Sequence, residues 1–235
     1  MISPVFWVFC TLAPTGPCRM PPGDDTSLEL RDVSLSLDGA RLFTPLSLTV
    51  RAGEAATVMG PSGCGKSSLL AHICGTLAPA FTPAGRVSLA GEPLDGLPPD
   101  RRRIGILFQD DLLFPHLSVG ENLAFGLTPE IRGHAARREK IEAALDEAGL
   151  ADMTDRDPAT LSGGQRTRVA LMRTLLSEPR ALLLDEPFSK LDAELRDRIR
   201  TFVFEHARAN GIPTLLVTHD PDDAAAASGE TIELR

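Results

Sequence analysis

Gly60-Pro61-Ser62-Gly63-Cys64-Gly65-Lys66-Ser67 follows the short apolar run Ala55–Met59 and leads into Ser67–Leu77, a stretch of helical character. Strand, loop and helix in that order are what the pattern G-x-x-x-x-G-K-[ST] requires. Gly63 and Gly65 let the backbone curl so that successive N–H groups face a phosphate. The helix that begins there adds the positive end of its dipole. Lys66 is expected to reach the β- and γ-phosphates of a nucleotide, Ser67 to ligate Mg²⁺ through its hydroxyl, and Ser68 to hydrogen-bond phosphate. Cys64 reads as a small filler. A glycine-rich turn that merely caps a helix is the plain alternative, and the flanking elements argue against it. Alone, the motif means a phosphate-binding loop and no more.

Outward from this loop, further buried-strand candidates are Ile104–Phe108, Ala181–Leu184 and Thr214–Thr218. Helical stretches fall between them, around Arg137–Ala148, Gly164–Leu176 and Ala193–Ala209. Strands alternating with helices imply a mainly parallel sheet covered on both faces. Ahead of the loop, Leu28–Val33, Ser34–Leu37 and Leu46–Val50 alternate apolar and polar residues, as half-buried strands do. The fold expected is α/β: a P-loop NTPase core with a mainly parallel sheet, an N-terminal antiparallel β element, and an inserted helical lobe at about 112–160. Pro115, Pro129 and Pro158 punctuate that lobe.

A second chemical segment is Ala181-Leu-Leu-Leu-Asp185-Glu186, an apolar strand that ends in two carboxylates. The strand carries Asp185 to the carboxyl edge of the sheet, where ligands bind in open α/β folds. Asp185 suits a Mg²⁺ shell, and Glu186 suits proton acceptance from an attacking water. Leu161-Ser162-Gly163-Gly164-Gln165 opens another helix. Ser162 has the chemistry of an N-cap, and the two glycines leave backbone N–H groups uncovered. That makes an anion site, which suggests service to the nucleotide of a second copy. An ordinary capped helix is the alternative.

With these motifs in order, the span from about 27 to 235 resembles the ATP-binding cassette family, whose hallmark is LSGGQ between the phosphate loop and the Asp-Glu strand. The resemblance implies an ATP hydrolase of the transport-coupled type, with ATP and Mg²⁺ as cofactors. It implies that Gln109 links Mg²⁺ and the attacking water to a transporter interface. It implies that Asp192, in Ser189-Lys-Leu-Asp192, lies in a loop crossing a dimer interface. It also implies that His219 contacts the γ-phosphate. The expected catalytic residues are Glu186, His219 and Gln109, and the expected metal ligands are Ser67, Gln109 and Asp185. Nucleotide contacts are expected from Gly60, Pro61, Ser62, Gly63, Cys64, Gly65, Lys66, Ser67 and Ser68. The partner copy's nucleotide is expected to meet Ser162, Gly163, Gly164, Gln165 and Asp192.

The stretches GILFQDDLLF, DPATLSGGQR and LLLDEPFSKLD most resemble the cassette of the Ynj transport system, with thiamine, ferric-ion and sulfate/molybdate importers as relatives. A head-to-tail dimer, transmembrane permease subunits and, indirectly, a solute-binding protein are the partners this implies. The expected location is cytoplasmic, peripheral on the inner face of the cell membrane. A cassette ATPase driving a non-transport assembly or signalling complex is the alternative. The discriminating segment is Leu107 to Asn122, whose apolar residues after Gln109 resemble a permease-docking patch.

Composition agrees. The 235 residues suit one domain with a small inserted lobe, and a net charge of -8 argues against capture of nucleic acid. Cys10, Cys18, Cys64 and Cys74 show no paired spacing for zinc and fit a reducing compartment. No run approaches the roughly 20 apolar residues needed to span a bilayer. Val5–Ala13 is short, lies between prolines and lacks a basic start, so 1–26 reads as a poorly ordered extension, with Met20 a candidate start.

One departure stands out. Many cassettes stack adenine on an aromatic residue upstream of the phosphate loop, and the matching place here falls near Leu37. The chain has no tyrosine, and Phe43, the nearest aromatic, looks out of register. Weakened stacking and relaxed base discrimination are expected.

Overall fold

The computed structural model of the chain describes residues 26–235, so Cys10, Cys18, Met20 and Val5–Ala13 lie outside the described residues. In chain order the elements begin with β1 (Leu28–Leu37), β2 (Ala40–Arg41), β3 (Leu46–Val50), β4 (Ala55–Met59) and α1 (Lys66–Cys74). Next come β5 (Phe81–Leu89), β6 (Glu92–Pro93), α2 (Pro99–Arg102) and β7 (Ile104–Leu107). After these lie α3 (Val119–Gly126), α4 (His134–Glu147), a 3₁₀ turn at Pro158–Thr160 and α5 (Gly163–Leu176). The chain closes with β8 (Ala181–Asp185), α6 (Ala193–Ala209), β9 (Thr214–Val217), α7 (Pro221–Ala227) and β10 (Thr231–Glu233).

The core sheet is parallel, in the order β10-β4-β9-β8-β7. Every residue of β8 is buried, which is why it reads as an unbroken apolar run and not an alternation. Its side chains divide by parity between two apolar clusters. Leu182 and Leu184 join the side built from α3 to α6, whereas Ala181 and Leu183 join the side shared with α1 and the second sheet.

That second sheet is antiparallel, β2-β1-β5-β6 with β3 also paired to β1. The two short strands expected at 28–37 are one strand with a bulge. Asp32 takes φ 51°, and the register against β5 slips between Arg31 and Ser34. Opposite it, a Cβ on Gly85 would come within 2.4 Å of the Asp32 carbonyl oxygen, so the two backbones touch where only glycine fits. The slip changes which parity is buried, and this broke the sequence pattern in two.

Helix α1 stops three residues earlier than its expected end at Leu77. Gly75, at φ 88°, turns its N–H back to the carbonyls of Ala71 and His72. The buried Arg102 guanidinium then donates to the carbonyls of Leu97, His72 and Ile73. A positive group at the helix carboxyl end is attracted to the negative end of its dipole and stabilises the helix. Leu69, Leu70 and Ile73 are fully buried. At about 1.5–3 kcal/mol each, their burial presses α1 on the sheet and fixes the loop ahead of it.

Residues 112–160 hold α3, α4 and the 3₁₀ turn. Ser118 caps α3 in a reciprocal box with Glu121. Leu123 and Leu145 of these helices belong to the same apolar cluster as Leu171 and Leu184, so this part packs on the core without a break.

Candidate active site

Four neighbouring strands bring their carboxyl ends to one edge. Register pairs Val58 with Val217, Asp185 with Val217, and Leu107 with Leu184. The phosphate loop after β4, Gln109 after β7, Asp185 and Glu186 at the end of β8, and His219 after β9 therefore meet at the sheet edge where the fold class binds ligands.

Within the loop, Gly63 and Gly65 take φ 81° and 99°, closed to most side-chain-bearing residues. A Cβ on Gly63 would meet nothing within 4 Å, so its backbone faces open space. A Cβ on Gly65 would press on Phe43 and Leu42, so the loop is seated from below by these two residues. Helix α1 begins at Lys66 with no side-chain cap, leaving its N-terminal amides available to an anion. The Lys66 ammonium donates to the carbonyls of Gly60 and Pro61 at 2.8 and 2.9 Å, across the loop it is expected to serve. Pro61, Ser62 and Ser67 are exposed, and Cys64 and Ser68 are half-buried.

Burial pushes the Asp185 carboxyl up from its ordinary range, opposed by the neighbouring Ser67 hydroxyl and by Lys66, with Glu186 adding to the rise. A buried carboxylate beside a hydroxyl, with phosphate oxygens to be held nearby, is the hard-oxygen chemistry that suits Mg²⁺.

Glu186 sits at φ 48°, a left-handed conformation uncommon outside glycine and frequent at functional sites. Its N–H still pairs with the Val217 carbonyl, so the strain is held by the sheet. One carboxylate oxygen lies 2.8 Å from His219 Nδ1. The other lies 3.4 Å from the Thr218 hydroxyl, which is itself 3.3 Å from Asp223 Oδ2. Asp223 is buried and pairs through Oδ1 with Arg200 of α6 at 2.9 Å. Burial and then Asp220 hold the Asp223 carboxyl above its ordinary range, against the pull of Arg200. Thr218, Asp223 and Arg200 were not singled out from the sequence. Only the adjacency of Thr218 to His219 could have drawn notice to the first.

Gln109 is exposed at the end of the β7 segment, and its carbonyl accepts from the Lys190 ammonium at 2.8 Å. The LSGGQ segment lies at the start of α5. Ser162 and Gln165 close on each other: Ser162 Oγ accepts from the Gln165 N–H, and Gln165 Oε1 accepts from the Ser162 N–H. The expected cap is thus a full capping box. Gly163 is open, and Gly164 has Leu191 and the Lys190 carbonyl as its nearest neighbours. These neighbours are not the chain's own phosphate loop, in keeping with service to a nucleotide elsewhere. Asp192 caps α6 by accepting from the Leu195 N–H.

Phe43 is 2% exposed and packed against Gly65, so it offers no free face to a base. Leu37, half-buried at the end of β1, leaves an aliphatic side chain where the resemblance expects an aromatic ring.

Beside Gln109 lies an apolar patch. Leu112 is 57% and Phe125 71% exposed, the large hydrophobic residues left most open among the described residues. Phe114 meets Phe125 edge-on at 4.8 Å, and the Arg173 guanidinium stacks over Phe114 at 5.3 Å. Beneath, the fully buried Asn122 accepts from the Phe114 N–H and donates to the carbonyls of Phe114, Leu117 and Ser118. Leu112 on the loop and Phe125 on α3 thus form an exposed apolar pair over a firmly held turn.

Known proteins resemble this chain in sequence and in fold. Residues 43–189 match the ABC transporter family. The chain is 51% identical over 199 residues to the uncharacterized ABC transporter ATP-binding protein YnjD of Escherichia coli (strain K12), spanning 85% of this chain and 91% of that one. It is 46% identical over 184 residues to the thiamine import ATP-binding protein ThiQ of Cereibacter sphaeroides, covering 78% of each. Against the Fe(3+) ions import ATP-binding protein FbpC of Agrobacterium fabrum it is 44% identical over 190 residues, spanning 81% of this chain and 53% of that longer protein. Among solved structures, the dimeric post-hydrolysis state of the ATP-binding cassette MJ0796 bound to ADP and Pi superposes with a TM-score of 0.78. That match has 29% identity and covers 88% of this chain and 94% of the other.

Proposed function

This chain belongs to the ABC transporter family, and from that premise we propose that it couples ATP-driven closure of a cassette dimer to the import of a solute. It is an ABC-type ATPase that binds ATP with Mg²⁺, and its family relatives pair as dimers and serve importers. The permease seated on its apolar patch, the solute-binding protein outside and the cytoplasmic face of the membrane are the finer parts of the proposal. No helix among the described residues is long and apolar enough to cross a membrane. Residues 27–235 are read as the ATP-binding domain, with 112–160 as its lobe.

The chemistry proposed for the site follows from its groups. Lys66 and the backbone N–H groups from Ser62 to Ser68 hold the phosphates and offset their charge. Ser67, Asp185 and Gln109 would hold Mg²⁺, which neutralises charge on the phosphate oxygens. Glu186 accepts the proton of a water as its oxygen bonds to the γ-phosphorus and the bridging P–O bond to ADP breaks. His219, oriented by Glu186, hydrogen-bonds the transferring phosphoryl group. Gly163, Gly164 and the Ser162 hydroxyl cover the nucleotide of the second copy, with Gln165 and Asp192 beside them. When phosphate leaves, that bridge is lost and the dimer opens.

The observation that carries the transport reading is the patch of Leu112, Phe114 and Phe125 beside Gln109. The loop that follows Gln109 carries Leu112 and Phe114, and α3 adds Phe125 to the same surface. To test it, the tagged chain is isolated from gently extracted membranes of its native host, alongside Leu112→Glu and Phe125→Glu variants. A polytopic permease recovered with wild type and lost with both variants is expected. Soluble partners alone would assign the chain to an assembly or signalling complex.

A further inference from the structure

Asp111 is the point where three separated segments meet, and the ATPase reading assigns it no role. Its carboxylate is only 9% exposed. Oδ1 accepts from the Thr167 hydroxyl at 2.7 Å, in the first turns of the LSGGQ helix. Oδ2 lies 3.5 Å from Arg166 Nε of that helix and 3.5 Å from the Lys190 ammonium. The same ammonium donates to the Gln109 carbonyl at 2.8 Å. Lys190 also presents its own carbonyl to Gly164, 3.2 Å from where a Cβ would stand. Immediately after Asp111, Leu112 is held at φ 44°, a conformation that bulky residues avoid.

We propose that Asp111 is a positioning residue which, through Lys190, clasps the Gln109 loop, the LSGGQ helix and the loop before α6 into one moving unit. The proposal rests on the ATPase reading for its consequence. Gln109 belongs to the chain's own nucleotide, while LSGGQ faces the nucleotide of the second copy. A rigid link between them makes one site's occupancy a bias on the other's geometry. One carboxylate suffices because it has two oxygens and three charged or hydroxyl donors converging on them. Burial of the carboxylate strengthens these contacts relative to fully exposed pairs, while Arg166 and Lys190 keep 39% and 36% of their side chains in solvent. Lys190 is needed because its ammonium bridges the Gln109 carbonyl and the Asp111 carboxylate.

The test compares wild type with Asp111→Ala, Lys190→Met, Lys190→Arg and the Asp111→Ala/Lys190→Met double variant, all full length. Amide hydrogen exchange without nucleotide reads the clasp directly, whether or not the chain hydrolyses ATP. For Asp111→Ala, exchange is expected to rise about 3- to 10-fold in 109–113 and in 162–168 together, segments some fifty residues apart. In parallel, kcat should fall several-fold in both single variants while fluorescent MANT-ATP binds within about twofold of wild type. The double variant should be no worse than the worse single one, and Lys190→Arg should recover most of the rate. Unchanged exchange in 162–168 in the Asp111→Ala variant, or rate losses that multiply in the double variant, would overturn the clasp. A change in melting temperature and MANT-ATP affinity together, with kcat spared, would reduce Asp111 to a packing role and overturn it equally.

Discussion

His219 Nδ1 stands 2.8 Å from Glu186 Oε1, with the imidazole 75% exposed and the carboxylate only 13%. A strained, sheet-held carboxylate thus keeps hold of a histidine that otherwise projects into solvent. The contact connects the end of β8 with the end of β9, the two strand ends on which the hydrolysis reading depends.

The hydrogen bond that His219 donates to the Glu186 carboxylate, and the negative charge of that carboxylate, raise the His219 pKa above the ordinary histidine value. NMR titration of the imidazole should therefore show a midpoint above that of an unfolded-peptide histidine, and Glu186→Gln should bring it back down. The sign for stability follows. The pair contributes fully below the unfolded histidine value, and the contribution is lost as pH rises through the raised folded value. With so exposed a ring the contribution is small. An unshifted or lowered midpoint in wild type would remove the ion pair from the account.

Nucleotide discrimination should be weak. Among the described residues, Phe43 is packed under Gly65 and the other candidate place holds an aliphatic Leu37, so neither offers a free aromatic face, a contact worth about 0.5–1.5 kcal/mol where it exists. ATP and GTP competing for the site should differ in affinity by less than about tenfold, and Leu37→Tyr should raise affinity for both. A hundredfold preference for ATP in wild type would contradict this.

Asn122 is fully buried, and its side chain bonds the backbone of 114–118 and accepts from Arg173 Nη1 at 3.5 Å. Asn122→Ala leaves several buried backbone groups unpaired, at a cost of about 2–3 kcal/mol. For a chain of this size that lowers the melting temperature by about 5–10 °C. Because the loop it holds carries Phe114, on which Phe125 of α3 packs, permease association should weaken as well. Scanning calorimetry and the membrane pull-down read the two effects separately.

Much of this site was legible before any coordinates, for physical reasons. Each motif lies on one continuous stretch whose chemistry is local: glycines that curl a loop, an apolar strand ending in carboxylates, a histidine just past a strand. The parallel core was legible because β8 and β9 are buried on both faces and so read as apolar runs. Strand β5 was not, since Phe81–Arg86 is largely exposed and includes Pro83 and Gly85, which weaken any strand pattern. Strand β10 is three residues long and gives no period to detect. Helix α3 carried a readable signal in Ser118 and Glu121, a capping box at the right spacing. Asp111, Asn122, Asp223 and Arg102 could not be read at all. Their roles depend on partners brought close only by the fold, as with Thr167 for Asp111, 56 residues away. The left-handed backbone of Glu186 likewise belongs to tertiary structure, since nothing in Asp-Glu-Pro announces it.

The most direct test of the central claim is Glu186→Gln, followed by single-turnover ATP hydrolysis and light scattering after size exclusion in Mg²⁺ and ATP. The account predicts ATP binding within a few-fold of wild type, a loss of turnover of about 10²–10⁴-fold, and a stable dimer that wild type forms only transiently. Wild-type turnover in the variant, or a monomer under saturating ATP, would contradict it.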